Sequence, residues 1–515
     1  MALFDKFIKK DNSLTFTTKN FFIGSPEAEA ESVAHSRMRL AEVFEDFLNV
    51  LPELQHEKFL ITGRKGSGKS AIAEYISHLY EKEANCFSSF IRKSDINIER
   101  IAQLTQEHDQ NVTQELIIEW VILTKLTLML TSKESLQNYK EISDLQVFLK
   151  KNSGFIDIKS NQITQVVQSK GHELNVNYFK RFLTAKFGNK FDITKEKAPF
   201  YKLIPHLKAT VLELMNYPEN RENKFILIFD DLDIGFKSTS EKNRNTILNL
   251  IRVGKDYNNN FFGKNNLDSK IFILLRDDIS RILYKYDADT AKLFSSYAVS
   301  LVWYEFDSHK RFDQEDKTKL KQFINKRLVV NFEKLGKTYN KNDPWSSFVE
   351  NDPTYKKTSF KYIVDHTFAR PRDLILFFSP ISSMDLQLPL QKRDINNLLG
   401  KYSAELIAEV KNELSAHYSS EDIDRIFKAL YQFSSGNEFS FQEFIELLKE
   451  MGFQEDSEIS VYKLFEYSLI GNSIPDSNKV TFKFWEERDE VVKLNRDHPL
   501  VIHFAMKVYL ANRKY

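Results

Sequence analysis

The sequence has very little cysteine and no long apolar run. Cys86 is the only cysteine among 515 residues, which excludes an internal disulfide framework and is typical of a reducing compartment. No apolar run reaches the roughly 20 residues that cross a bilayer, and the first residues lack the apolar centre of a signal peptide. We therefore expect a cytoplasmic protein with no membrane partner.

The chain also lacks an excess of charge of either sign. Its 73 Lys and Arg residues nearly balance 72 Asp and Glu residues, and the formal net charge is +1. Overall charge therefore argues neither for nor against a nucleic-acid partner, so any basic surface must be local. A chain of 515 residues is long enough for several structural units.

Residues 63–70 fit the phosphate-loop pattern G-x-x-x-x-G-K-[ST]. Glycines permit the turns that aim consecutive N–H groups at phosphate oxygens, the lysine supplies charge, and the serine hydroxyl binds Mg²⁺. Apolar residues 59–61 predict a buried strand before the loop, and a helical pattern follows it. The alternative is a glycine-rich turn without a ligand. The predicted ATP-binding residues are Gly63, Arg64, Lys65, Gly66, Ser67, Gly68, Lys69 and Ser70.

A second apolar run, residues 225–229, ends in Asp230 and Asp231. Five apolar residues predict a strand buried on both faces of a parallel sheet, and ligands bind at the carboxyl ends of such strands. We expect Asp230 to hold Mg²⁺ together with Ser70, and Asp231 to position the attacking water. Asp231 stands where vigorous motor ATPases carry the longer Glu, so hydrolysis is expected to be slow. The alternative is a buried strand followed by an acidic loop.

Two arginines are further candidates for the catalytic site. Arg276 follows a strand predicted at residues 271–275, where it could sense the γ-phosphate or face a neighbouring subunit; a local pair with Asp277 or Asp278 is the alternative. A further strand, predicted at residues 298–303, completes a five-stranded parallel core. Arg372 follows Pro371, which is typical of a first helical turn, and from there it could reach a nucleotide. A salt bridge within its own helical subdomain is the alternative.

The C-terminal part has the order helix, helix, helix, hairpin that outlines a winged helix. Helices are predicted at residues 423–431, 441–451 and 461–469, and two strand patterns bracket residues 471–478 as a wing. Between residues 421 and 466, eleven acidic residues face four basic ones, an excess that repels phosphates. We therefore expect this domain to face a protein, with DNA as the less favoured partner.

These patterns predict four segments. An N-terminal loop and helix occupy residues 1–51, with the helix at 28–51, and a P-loop ATPase core with a helical insertion at about 100–220 occupies residues 52–310. A helical lid subdomain follows at residues 311–414, and the winged-helix-like domain occupies residues 415–515.

Four short motifs together resemble bacterial P-loop ATPases of the AAA+/STAND grade. They are Gly-Arg-Lys-Gly-Ser-Gly-Lys-Ser at 63–70, Asp-Asp-Leu-Asp at 230–233, Leu-Arg-Asp-Asp-Ile at 275–279 and Arg-Pro-Arg-Asp-Leu at 370–374. The chain looks closest to members found in mobile or defence-related gene neighbourhoods. It is also similar to the initiator ATPases of origin recognition, whose lid arginine corresponds by position to Arg372. The long insertion and Asp231 depart from classical AAA+ members.

The resemblance implies an α/β fold: a P-loop NTPase parallel sheet with a helical insertion, a helical lid and a C-terminal winged helix. It implies an ATP- and Mg²⁺-dependent switch that controls a partner effector in anti-phage defence, with a homo-oligomer as one assembly it allows. Two alternatives are a DNA-engaging ATPase of initiator or loader type and a small-molecule phosphotransferase. The sequence shows no acceptor-binding constellation for the last.

Overall fold

The computed structural model describes residues 17–83, 85–92, 113–132, 136, 139–151, 173–188, 191, 193, 195–231, 240–284, 288–304, 312–352, 357–436, 438–476, 479–483 and 494–511. The chain forms two units: Met1–Leu48 with Val302–Tyr515 (unit 1), and Asn49–Leu301 (unit 2). Among the helices in these ranges, none combines the length and apolarity that crossing a membrane requires.

The described strands and helices are as follows in chain order. The strands are β1 Leu60–Gly63, β2 Cys86–Ile91, β3 Glu173–Asn175, β4 Lys197–Pro199, β5 Lys224–Phe229, β6 Ser269–Arg276, β7 Ala298–Leu301, β8 Ile470–Asp476, β9 Lys479–Lys483 and β10 Leu500–Ile502. The α-helices are α1 Ala28–Ser32, α2 Leu40–Val43, α3 Val50–Gln55, α4 Lys69–Glu81, α5 Gln114–Thr131, α6 Lys140–Lys151, α7 Asn177–Phe187, α8 Phe200–Met215, α9 Glu241–Asp256, α10 Asp277–Tyr284, α11 Ala288–Tyr297, α12 Lys319–Lys334, α13 Ser359–Asp365, α14 Pro371–Phe378, α15 Lys392–Leu414, α16 Ser420–Phe433, α17 Phe441–Glu450, α18 Ser457–Glu466 and α19 Phe504–Ala511.

Unit 2 is built on a five-stranded parallel sheet in the order β2-β5-β6-β1-β7. All four residues of β1 are buried, as are five of the six residues of β5, because helices cover both faces of such a sheet. The prediction of an α/β fold with a five-stranded parallel sheet is confirmed. The strand predicted at residues 298–303 ends earlier, at Leu301. β2 was not predicted, because its sequence Cys-Phe-Ser-Ser-Phe-Ile has no continuous apolar run.

Between β2 and β5 the chain forms a mainly helical insertion. α5 is buried over most of its circumference, including Trp120, as its nearly continuous apolar sequence predicts. α8 packs against α5 through an edge-to-face contact of Phe200 with Trp120. α6 and α7 pack on each other, and β3 pairs antiparallel with β4. Residues 93–112 and 152–172 of the insertion lie outside the described residues.

In unit 1 an N-terminal segment completes the core of the helical subdomain. Phe21 is fully buried and stacks on Phe348, with ring centroids 5.5 Å apart. The continuous helix predicted at residues 28–51 is wrong: α1, α2 and α3 replace it. Val33 takes an extended backbone after α1, and Asn49 takes a left-handed one with φ +54°, so neither continues a helix.

The C-terminal part of unit 1 has three helices, α16 to α18, followed by an antiparallel sheet in the order β10-β8-β9. Ser419, Ser440 and Asp456 cap the three helices by accepting hydrogen bonds from backbone N–H groups of the first turns. The order helix, helix, helix, hairpin is the one the sequence predicts. β8 extends to Asp476, further than predicted, whereas β9 has the predicted length, shifted by one residue. Residues 477–478 separate the two strands and lie outside the described ranges.

Candidate nucleotide site

The phosphate loop connects β1 to α4. Gly66 and Gly68 have φ of +81° and +95°, a left-handed backbone that suits glycine and turns consecutive N–H groups inward. At Gly63 a Cβ atom would lie 2.4 Å from the Ser67 hydroxyl, so this position also requires a residue without a side chain. α4 begins at Lys69, directly after the loop, and its first N–H groups are available to an anion. The loop therefore has the backbone shape that phosphate binding needs.

Lys69 and Ser70 occupy the first turn of α4. The Lys69 ammonium donates hydrogen bonds to the carbonyl oxygens of Gly63 at 3.0 Å and Arg64 at 3.2 Å. These bonds hold the ammonium over the loop, where it is close enough to Asp230 to lower the pKa of that carboxyl group. The Ser70 hydroxyl interacts with the same carboxyl group and also lowers its pKa. The two strongest sequence motifs therefore meet in space.

Asp230 follows the last residue of β5 and is only 3% exposed. One carboxylate oxygen, Oδ1, accepts a hydrogen bond from the Asp231 N–H at 2.9 Å. The other, Oδ2, is buried and accepts no hydrogen bond from the described residues. Burial first, and the Asp231 charge second, raise the pKa of Asp230 from 3.8 to about 6. A carboxyl group that faces a serine hydroxyl and keeps one buried oxygen without a donor fits a Mg²⁺ ligand.

Asp231 lies beside Asp230 with an unusual backbone. Its φ of +56° is left-handed, which non-glycine residues adopt at a cost, and such strain is common at functional sites. The side chain is half-buried, and its charge contributes to the raised pKa of Asp230. Leu232 and Asp233, the rest of the acidic motif, lie outside the described residues. The chain thus presents two adjacent carboxylates next to the phosphate loop.

Arg276 ends β6, and the parallel register pairs it with Gly63, the first residue of the loop. The sheet therefore brings Arg276 to the same edge as the loop. Its guanidinium, however, makes two hydrogen bonds to the Asp278 carboxylate, from Nε at 3.1 Å and from a terminal nitrogen at 2.6 Å. This is the local pair that the sequence left open as an alternative. This pair engages two of the three guanidinium nitrogens of Arg276.

Arg372 belongs to unit 1, at the start of α14. Pro371 occupies the first helical turn, as predicted. A terminal nitrogen of Arg372 lies 3.9 Å from the Glu409 carboxylate, and 26% of the side chain is exposed. The more deeply buried arginine is Arg370, which forms a two-point ion pair with Asp373 at 2.9 and 2.7 Å. A role for Arg372 at the nucleotide stays a prediction.

The sequence reasoning missed Arg92, which follows β2 directly. β2 pairs with β5 so that the Asp230 N–H donates to the Ile91 carbonyl at 3.1 Å, which brings Arg92 to the edge that carries Asp230. The Arg92 guanidinium bonds the Glu74 carboxylate of α4 at 2.7 Å. Because β2 has no apolar run, no signal in the sequence pointed to this arginine. Its ion pair links the strand edge to the helix that starts at the loop.

Residues 318–411 match a family described as the FunZ-associated C-terminal helical domain. Among solved structures, the chain is similar to Cdc6p from Pyrobaculum aerophilum, with 12% identity, a TM-score of 0.32, and 94% of this chain and 97% of that chain covered. It is also similar to the ORC2 protein of Aeropyrum pernix, with 10% identity, a TM-score of 0.37 and 90% of each chain covered. No curated protein matches the chain. Likenesses this distant carry no conclusion about function, which has to be argued from the site.

Proposed function

We propose that the chain binds ATP·Mg²⁺ at residues 63–70 and hydrolyses it slowly. The observation that carries the proposal is Asp230, buried beside Ser70 with its pKa raised to about 6. A buried carboxylate whose Oδ2 accepts no hydrogen bond from the described residues costs stability, and a bound cation offsets that cost. Its position next to a phosphate loop favours, as that cation, the Mg²⁺ of a nucleoside triphosphate.

Each residue has a distinct part in this proposal. The loop N–H groups and the Lys69 ammonium bind the β- and γ-phosphates, while the Ser70 hydroxyl and the Asp230 carboxylate hold the metal ion. Bound Mg²⁺ neutralises charge that develops on the phosphate oxygens during transfer. The Asp231 carboxylate accepts a hydrogen bond from the attacking water and orients it. An Asp reaches less far than a Glu, so the water is held less well and turnover is slow.

Slow turnover suits a switch, because the ATP-bound conformation then persists for a long time before hydrolysis ends it. We propose that this state controls a partner effector in anti-phage defence. The family matched at residues 318–411 is described as a FunZ-associated C-terminal helical domain, and this match is consistent with a defence-type ATPase. The excess of acidic residues between 421 and 466 supports a protein partner for the C-terminal domain.

The second candidate is a DNA-engaging ATPase of initiator or loader type. The observation in its favour is the C-terminal order of three helices and an antiparallel hairpin, which is the order of a winged helix. The acidic excess argues against that domain as the DNA contact. Binding of labelled duplex to the full chain and to a chain ending at residue 414 separates the two. Equal affinity of both chains excludes DNA reading by the C-terminal domain.

The test of ATP binding compares Lys69→Ala with Lys82→Ala. Both lysines belong to the α4 region, but Lys82 is exposed at its far end and serves as the matched control. We expect Lys69→Ala to lose at least tenfold in ATP affinity by calorimetry, about 1.4 kcal/mol, and Lys82→Ala to bind as the native chain does. Equal ATP affinity of all three folded proteins refutes the assignment.

The test of the switch uses Asp231→Asn, which keeps the phosphate contacts and loses the oriented water. We expect this variant to bind ATP normally and to stop hydrolysis. Hydrogen exchange of the trapped ATP state and of the ADP state should then differ outside the loop. Identical exchange in the two states refutes the switch while leaving ATP binding intact.

A further inference from the structure

Two helices of the insertion carry a local excess of positive charge. α6 and α7 pack together through stacked rings of Phe148 and Phe179, with centroids 4.8 Å apart. Both acidic residues of the pair are already neutralised: Glu141 bonds Lys186 at 3.0 Å, and Asp144 lies 3.9 Å from Arg181. The charged residues of the two helices are Lys140, Glu141, Asp144, Lys150, Lys151, Lys180, Arg181 and Lys186.

Two of these cations face the same aromatic ring. The Lys151 ammonium lies 4.3 Å from the centre of the Tyr178 ring, and the Arg181 guanidinium carbon lies 4.9 Å from it. Lys150 precedes Lys151 in the chain and is exposed, and 65% of the Arg181 side chain is exposed. None of the ion pairs between described residues involves Lys150 or Lys151. Cations that are held together in this way repel each other, so the arrangement favours an anionic ligand.

We propose that Lys150, Lys151 and Arg181 bind the phosphate backbone of a nucleic acid, with Tyr178 as the residue that positions two of them. The three cations and the tyrosine are the basic cluster. Nucleic acid carries closely spaced phosphates, and Lys and Arg beside an aromatic ring are the residues that track such a backbone. This site lies in unit 2, far along the sequence from the acidic C-terminal domain, and it does not depend on the proposed ATP site.

A membrane surface fits the basic cluster less well. Helices that lie on membranes combine basic residues with large exposed apolar ones. The large apolar residues that are exposed in the described structure are Val33, Leu79, Leu128, Tyr284 and Ile459, and none belongs to α6 or α7. The apolar faces of these two helices are buried against each other and against the insertion. The basic cluster therefore lacks the anchor that a lipid surface requires.

The test measures binding of a labelled 30-nucleotide strand, single or in a duplex, to the full-length chain at several salt concentrations. The variant reverses the three cations: Lys150→Glu, Lys151→Glu and Arg181→Glu. We expect affinity at 0.1 M salt to fall at least tenfold. A plot of the logarithm of the association constant against the logarithm of the salt concentration should become less steep. Its slope should decrease in magnitude by about 2.7 for duplex, or about 2 for single strands, because three phosphate contacts are lost. An unchanged affinity and slope overturn the proposal.

A matched control distinguishes binding at the basic cluster from a general effect of the net charge of unit 2. Lys82→Glu, Lys264→Glu and Lys292→Glu change the charge of unit 2 by the same amount at three exposed positions outside α6 and α7. We expect this triple variant to bind nucleic acid within about twofold of the native chain. An equal loss in both triple variants overturns the basic cluster as a site. Binding of the native chain to phosphatidylserine vesicles, but not to either nucleic acid, also overturns it.

Substitutions of Tyr178 test whether its ring positions the two cations. Tyr178→Phe keeps the ring that the two cations face, whereas Tyr178→Ala removes it. We expect Tyr178→Phe to retain the native salt slope and Tyr178→Ala to reduce affinity about three- to tenfold; equal effects of both variants contradict the positioning role. ATP binding, measured on every variant, should match that of the native chain. A native chain that binds no ATP refutes the proposed function and leaves the nucleic-acid result to stand alone.

Discussion

Replacing Asp230 by Asn should stabilise unit 2 while removing its proposed metal ligand. Asp230 has a pKa of about 6 in the folded chain against 3.8 for an ordinary aspartate. Since one pKa unit corresponds to about 1.4 kcal/mol, keeping this carboxylate charged in the folded state costs about 3 kcal/mol. Asn preserves the shape and the Oδ1 acceptor for the Asp231 N–H, and it carries no charge. The buried amide still lacks an acceptor, which reduces the expected gain to about 1–3 kcal/mol.

The pH dependence has a definite sign. The folded pKa lies above the unfolded one, so the proton on Asp230 stabilises the fold below pH 3.8, and this stability is lost as the pH rises through about 6. The Asp230→Asn variant has no titrating group at this position, so it loses no stability over the same pH range. The advantage of Asp230→Asn should therefore be complete above pH 7 and should shrink by about 1.4 kcal/mol, roughly tenfold in an equilibrium constant, near pH 5.

Cys86 supplies the assay, because it is the only cysteine and is 6% exposed in β2, the strand that pairs with β5. Its reaction with a dithiopyridine reagent, in EDTA and without nucleotide, requires unit 2 to open. At pH 7.5 we expect Asp230→Asn to react about 5- to 150-fold more slowly than the native chain. Asp289→Asn, at a side chain 69% exposed, should react at the native rate. Faster reaction of Asp230→Asn than of the native chain, both at pH 7.5 and at pH 5, refutes the reasoning.

Three further predictions follow from particular contacts. Glu31→Gln should lower the free energy of unfolding of unit 1 by about 3–5 kcal/mol in chemical denaturation. The substitution leaves Arg327, which is 4% exposed, as a buried charge without its two-point partner. Glu27→Gln, at an exposed position, should have little effect. Burial first, and then the neighbouring carboxylate, raise the pKa of Cys86 from 9.0 to about 11, so the folded thiol contributes little to reaction at pH 8. Alkylation of the native chain should therefore be at least about 100-fold slower than in urea and should accelerate as the pH rises; equal rates contradict the burial. Gly63→Ala should reduce ATP affinity at least tenfold by calorimetry, because the new Cβ would meet a loop hydroxyl at 2.4 Å; native affinity contradicts the loop geometry.

The phosphate loop was predictable because its conformation depends on local chemistry. Gly66 and Gly68 take left-handed backbones that glycine allows, and the strand and helix on either side show their own periodicities. The same holds for α5 and β5, whose apolar runs are long enough to predict burial. Elements of this kind depend on residues close in sequence, so one sequence is sufficient to find them.

Elements that depend on distant residues were missed or predicted wrongly. β2 contains two serines, and it is a strand because it adds to the edge of β5 rather than because of its own pattern. Where one helix was expected at residues 28–51, Glu31 instead pairs with Arg327, nearly three hundred residues away, and Phe21, just before this segment, packs on Phe348. Buried pairs and rings of this kind outweigh helix propensity, which is a weak preference of a few tenths of a kcal/mol per residue, roughly.

Sequence alone also determined which residues are candidates for the site, but not their surroundings. Only the tertiary structure brings Ser70 and Lys69 to Asp230, pairs Arg276 with Asp278 rather than leaving it available, and gathers the cations of α6 and α7 around Tyr178. The pairing of β6 with β1 and with β5 decides the first of these contacts. The chain just after β6 decides the second, and helix packing decides the third. Electrostatic effects on a side chain depend on burial and on charges within a few ångströms, and those distances exist only once the chain has folded.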